Sequence, residues 1–136
     1  MQNRLAVVSL DQSPSKNVKP ANYWAEKGKK LIGENYAELY TSGDICSRLG
    51  ISTGYFHDIF FSAFGVTPKI CLTSAKIERA KTILKDRWDS VKVAEVAKMV
   101  GFRSRVSFER AFVKHVGVSP SEFRKISNAV DFDTRK

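Results

Sequence analysis

Cysteine, histidine and acidic residues are scarce in this 136-residue chain, and each scarcity closes off a class of chemistry. Two cysteines, Cys46 and Cys71, are too few for a four-ligand zinc site or a disulfide framework. Both sit among apolar residues at helical spacing, which predicts reduced thiols packed as small core side chains. The two histidines, His57 and His115, lie far apart without HExxH-type spacing, so no metal is expected. A GxSxG elbow, a phosphate-binding Gly-rich loop and a Ser, His and acid cluster are all missing, so neither an enzyme nor a cofactor is expected. No apolar run approaches the roughly 18 residues that a membrane-spanning helix needs. The N-terminal run Leu5 to Val8 is too short for the core of a secretory signal and no small-residue cleavage site follows it. These readings predict a cytoplasmic chain with no membrane partner.

What is present fits one modest folded domain, with 43% hydrophobic and 27% charged residues. Lysine and arginine total 23 against 14 acids, a formal net charge of +9, which suits a polyanionic partner and equally a merely soluble basic protein. The distribution sharpens the case. From Lys98 to Lys125 seven basic residues face only two acids, Glu109 and Glu122.

Residues 1–19 read as a flexible tail or interdomain linker, rich in turn formers from Asp11 to Lys16, with Arg4 to Leu10 as a strand remnant. Pro20 is placed to open a first amphipathic helix of about 16 residues marked by Tyr23, Trp24, Lys27, Leu31, Tyr36 and Leu39, weakened by Gly28 and Gly33. Beyond it the chain repeats itself. Residues 41–68 superpose on 92–120 with an offset of 51 that becomes 52 after a one-residue insertion. Phe56 and Phe60 match Phe108 and Phe112, and the run Phe64 to Pro68 matches Val116 to Pro120.

Each copy reads as a short helix (Gly43 to Leu49; Val93 to Val100) ending at a glycine able to take positive φ, a turn, and a second helix capped by Ser52 or Ser104. The second helix carries an apolar stripe, Phe56, Ile59 and Phe60 in unit one and Phe108, Ala111 and Phe112 in unit two, with Val106 ahead of them. That succession is a helix-turn-helix. Thr41 and Asp44 form a capping-box start for unit one, whereas Lys92 gives unit two a weaker cap. Residues 69–86 read as one long linker helix, and Pro120 opens a short closing helix capped by Ser119, followed by a tail over 127–136. The expected fold is all-α, about seven helices in two helix-turn-helix subdomains joined by the linker helix. The phenylalanines at 56, 60, 64, 102, 108, 112 and 123 recur at core positions, so their role is packing rather than base stacking. Trp88, between Arg87 and Asp89, is expected to pack on the linker helix.

The doubled unit, the linker run Lys76 to Leu84, and Val96 to Phe102 followed by Phe108, Phe112 and Gly117 to Arg124 resemble the DNA-binding domain of AraC/XylS-type bacterial transcription regulators. The resemblance covers roughly residues 21–126, and the implied DNA-binding domain spans 20–126. It implies a monomeric, two-headed reader of double-stranded DNA whose recognition helices, about Thr53 to Ala63 and Arg105 to His115, enter successive major grooves about 34 Å apart. It also brings RNA polymerase into view as a partner, and a sensor or receiver domain in a longer protein.

Carried over by position, the base-edge candidates are Thr53, Gly54, His57 and Asp58 in unit one and Arg105, Val106, Glu109 and Arg110 in unit two. Arg105 and Arg110 can pair bidentately with guanine, and Val106 can touch a thymine methyl. Phosphate candidates are Ser52, Arg103, Ser104 and Lys114, with Ser104 acting through its backbone at a helix N-terminus. Unit one departs from the family pattern: Asp58 stands where an arginine is common, and Gly54 replaces a larger side chain. Unit one is therefore expected to add less affinity than unit two.

Two other functional classes compete with this reading. A protein-interaction module that kept the fold but lost DNA binding is hinted at by Asp58 and Lys92. A repair enzyme, suggested by related domains fused to zinc-bound methyl-accepting modules, would need a cysteine cluster that two buried thiols cannot supply. The chain reads either as a stand-alone regulator controlled by its abundance or as the C-terminal piece of a longer one, with no small-molecule effector bound within these residues.

Overall fold

The computed structural model describes residues 19–86 and 91–135, with side chains described up to Asn128. The expected strand remnant over 4–10, nearly all of the 1–19 tail, and Trp88 lie outside the described residues. Among the described residues seven α-helices run in order: α1 (Ala21–Asn35), α2 (Ser42–Leu49), α3 (Thr53–Phe64), α4 (Pro68–Asp86), α5 (Val93–Met99), α6 (Arg105–Val116) and α7 (Pro120–Arg135), with a 3-10 turn at Tyr36–Glu38 after α1. Among the described residues there is no strand.

The helix ends follow from side chains that satisfy free backbone groups. At α2 the Thr41 hydroxyl accepts from the Asp44 amide at 3.1 Å, and the Asp44 carboxylate accepts from the amides of Thr41 and Tyr40 at 3.1 and 2.8 Å. At α5 only the return half forms, the Lys92 amide donating to Glu95 at 2.9 Å, because an ammonium cannot accept. Ser52, Ser104 and Ser119 accept from the amides of Tyr55, Ser107 and Glu122, capping α3, α6 and α7.

Two cores form, one per unit. Ile32, Leu39, Ile45, Cys46, Phe56, Phe60 and Leu72 fill the first. Ile77, Ala80, Ile83, Leu84, Val96, Val100, Phe108 and Phe112 dominate the second, with Phe102 and Phe123 packed against it. Helix α4 serves both, giving Leu72 to one and its C-terminal half to the other, while Tyr36 touches each. The aromatic residues pack edge to tilted, with Phe60 and Phe64 at 4.8 Å and Phe112 and Phe123 at 5.5 Å between centroids. Both cysteines are free thiols, Cys46 buried and Cys71 half-buried, and burial pushes both pKa values up.

Two expectations need correction. Helix α7 is not short: it runs 16 residues through Arg135, across the segment read as a tail, because no glycine or proline interrupts the chain after Pro120. Gly28 is more than a weak point in α1. It is buried, and a Cβ there would overlap the Phe56 ring, so the glycine is what lets α1 lie close against α3.

Candidate nucleic-acid interface

Helices α3 and α6 each turn one pair of phenylalanines fully inward, Phe56 and Phe60 in one, Phe108 and Phe112 in the other. The opposite faces are thereby fixed toward solvent. On α3 that face carries Thr53, Gly54, Tyr55, His57 and Asp58, all exposed, with the His57 Nδ1 and the Asp58 carboxylate 3.8 Å apart. On α6 it carries exposed Arg105, Val106, Arg110 and Lys114 and partly covered Glu109. The Arg105 Nε donates to Glu109 at 2.8 Å, one turn along the helix, which holds the guanidinium along the exposed face. Every base-edge candidate read from the sequence thus lies on one of two equivalent helices: Thr53 and Arg105 are exposed in the first turn, ahead of the buried phenylalanine stripe, Glu109 flanks that stripe, and the others turn away from the core.

The phosphate candidates divide. The hydroxyls of Ser52 and Ser104 are engaged in capping, which leaves the backbone of the first helical turn as the part that can meet an anion. Lys114 is exposed in the last turn of α6. Arg103, also exposed, has its guanidinium 4.1 Å from the centroid of the Tyr40 ring, against unit one.

Sequence reasoning missed two features. Phe61 and Val113 are 52% and 45% exposed, one position after the buried Phe60 and Phe112. They fall on the faces that hold Asp58 and Arg110, at the same place in the repeat, and the 52-residue offset alone would have paired them. The second is Lys76. Its side chain is only 4% exposed, and its ammonium donates to the Gly101 carbonyl at 2.5 Å. Leu72, Lys76 and Ala80 recur at fourth positions of α4, and a lysine on that apolar stripe was the readable signal.

Burial pushes the Lys76 amine down to about 8 from an ordinary 10.5, with Asp44 opposing the shift and Arg103 adding to it. Below pH 8 the amine is charged in both states and the fold bears the desolvation. Between about 8 and 10.5 the unfolded chain holds the proton more tightly, so stability rises with pH. Chemical denaturation of the wild type and Lys76→Met at pH 7 and pH 10 is expected to show the difference shifting in favour of the wild type at pH 10. An unchanged difference contradicts a buried ammonium.

A family model described as a helix-turn-helix domain matches residues 45–126. The melibiose operon regulatory protein of Escherichia coli is 30% identical over 107 residues, spanning 79% of this chain and 35% of that protein. The raffinose operon transcriptional regulatory protein of Pediococcus pentosaceus is 35% identical over 94 residues, spanning 69% of this chain and 33% of its own length. The chain thus spans about a third of these two relatives. Among solved structures, the DNA-binding domain of AdpA in complex with a target DNA superposes with a TM-score of 0.69 at 26% identity, covering 77% of this chain and 93% of that one. The C-terminal domain of AraT, a response regulator from Geobacillus stearothermophilus, shares the fold with a TM-score of 0.69 at 24% identity, over 76% of this chain and 84% of that one. Matched over more than half its length by the helix-turn-helix model, and in both units by its own geometry, the chain belongs to the AraC-type helix-turn-helix family.

Proposed function

We propose that this chain regulates transcription in the cytoplasm by reading double-stranded DNA sequence-specifically, with α3 and α6 laid in successive major grooves on one face of the duplex. The observation that carries this is the duplication itself: two capped helices, each with a buried phenylalanine pair behind and an exposed polar face in front, on a chain of net charge +9. The similarity to a domain solved on its target DNA supports it.

In this reading Arg105 and Arg110 address guanines, Val106 a thymine methyl, and Thr53, Gly54, His57 and Asp58 the other half-site, where a carboxylate can accept from cytosine N4. Glu109 acts by steadying Arg105. The backbone at Ser52 and Ser104, with Lys114 and the exposed part of Arg103, grips phosphates. RNA polymerase, and a sensor or receiver domain in a longer protein, are partners the same reading includes; the greater length of the relatives supports the latter.

A titration of duplex binding against salt tests the proposal. With about six phosphates neutralised, affinity is expected to fall roughly 1,000-fold between 50 and 200 mM salt. Absent binding at low salt, or an affinity indifferent to salt, transfers the fold to the interaction-module reading that Asp58 suggests.

A further inference from the structure

The two units touch each other directly as well as through α4. Gly101, in the turn of unit two, has φ +92°, and a Cβ on it would sit 2.5 Å from the carbonyl oxygen of Ala37 and 2.7 Å from its Cα. The backbone of unit two's turn is therefore seated on the 3-10 turn that follows α1. Around this seat the side chains come from every neighbouring segment. Lys76 of α4 donates to Gly101 and lies 4.9 Å from the Tyr40 ring and 5.3 Å from the Phe102 ring. Arg103 of unit two lies 4.1 Å from the same Tyr40 ring. The amide of Tyr40 donates to Asp44, the carboxylate that caps α2 of unit one and draws on the charge of Arg103 and Lys76. One aromatic ring of unit one thus meets a cation from the linker helix and another from unit two.

The 19-residue linker helix gives side chains to both cores and so sets the distance between the two heads, and contacts off its axis further limit rotation of one head against the other. Cation–π and backbone contacts off that axis oppose such rotation. We propose that the cluster of Tyr40, Lys76, Gly101 and Arg103 is a spacing lock, which holds α3 and α6 at one separation and one rotation so that the protein accepts half-sites at a single spacing. Tyr40 is its positioning residue, touching neither recognition face. The consequence for specificity follows from duplex geometry: each inserted base pair moves one half-site by about 3.4 Å and turns it by about a tenth of a revolution. A rigid pair of heads must distort the DNA to follow, whereas heads free to swivel need not.

The lock rests on the DNA-reading proposal for its consequence but not for its mechanics, so the test has two arms. In the first, NMR residual dipolar couplings are measured for the two units of the free protein. One alignment tensor is expected to fit both units in the wild type and in Tyr40→Phe, which keeps the ring, and two tensors are expected in Tyr40→Leu. In the second arm, duplexes carrying the selected half-sites at the native spacing and at one or two base pairs more or less are titrated. The wild type and Tyr40→Phe are expected to lose about tenfold or more per step, and Tyr40→Leu only a few-fold. Should Tyr40→Leu fail to fold, Lys76→Met probes the same cluster with the same readouts. A variant that folds, keeps one tensor and keeps the wild-type spacing profile overturns the lock. Failure of the wild type to bind any duplex instead overturns the DNA-reading proposal, and the tensors still decide whether the heads are locked.

Discussion

Replacing Gly101 by alanine is expected to lower the melting temperature by about 10 °C. Two costs combine. The backbone at this position has φ +92°, where an L side chain is strained by about 1–2 kcal/mol. The new Cβ would also lie within 2.8 Å of three backbone atoms of Ala37, and backbone cannot swing aside as a side-chain tip can. Overpacking of this kind costs about 1–3 kcal/mol. Any shift that relieves it also pulls the Gly101 carbonyl away from the buried Lys76 ammonium. Gly33→Ala is the control: nothing lies within 4 Å of a Cβ there, on an exposed helical position, so stability is expected to rise by about 0.5 kcal/mol. Thermal melts of both variants check the account, and a Gly101→Ala protein as stable as the wild type would falsify the close seating of unit two on Ala37.

Replacing Arg105 by alanine is expected to weaken binding to the preferred duplex by about 10–100-fold, the 1–3 kcal/mol of a bidentate arginine–guanine contact, and to relax selectivity at one base pair. Binding to unrelated DNA should change far less, because that is carried by phosphates. The helix itself loses little, since the exposed pair with Glu109 is worth well under about 1 kcal/mol. Glu109→Ala, which frees the guanidinium without removing it, is expected to cost only a fraction of the Arg105 effect. His57→Ala should also cost less, since Asp58 beside it opposes the phosphate charge on unit one's face. Equal losses at His57 and Arg105 would sink the idea that unit two carries more of the affinity.

Much of this architecture was legible because its signals are local. Thr41 with Asp44, and the serines at 52, 104 and 119, cap helices through bonds spanning three residues, so the starts of α2, α3, α6 and α7 could be read directly. The spacing of Phe56 with Phe60 and Phe108 with Phe112 told which face is core, and hence which is exposed. What escaped depends on contacts distant in sequence. Arg103 reads as a phosphate contact ahead of a helix, and nothing local says that its guanidinium meets Tyr40, more than sixty residues earlier. Gly28 reads as a flaw in α1, and only the fold shows that Phe56, 28 residues later, needs its space. Phe61 and Val113 escape for another reason: an apolar side chain adjoining a buried one reads as core from sequence.

Two equivalent helices that read two successive grooves in a fixed frame leave a signature in the sequences they bind. Selection of bound sequences from a random duplex pool at moderate salt tests it most directly, with Arg105→Ala selected in parallel. The expected result is an asymmetric site of two conserved blocks about ten base pairs apart, one of them relaxed by the substitution. A pool that shows no enrichment, or a single block unchanged by Arg105→Ala, contradicts it.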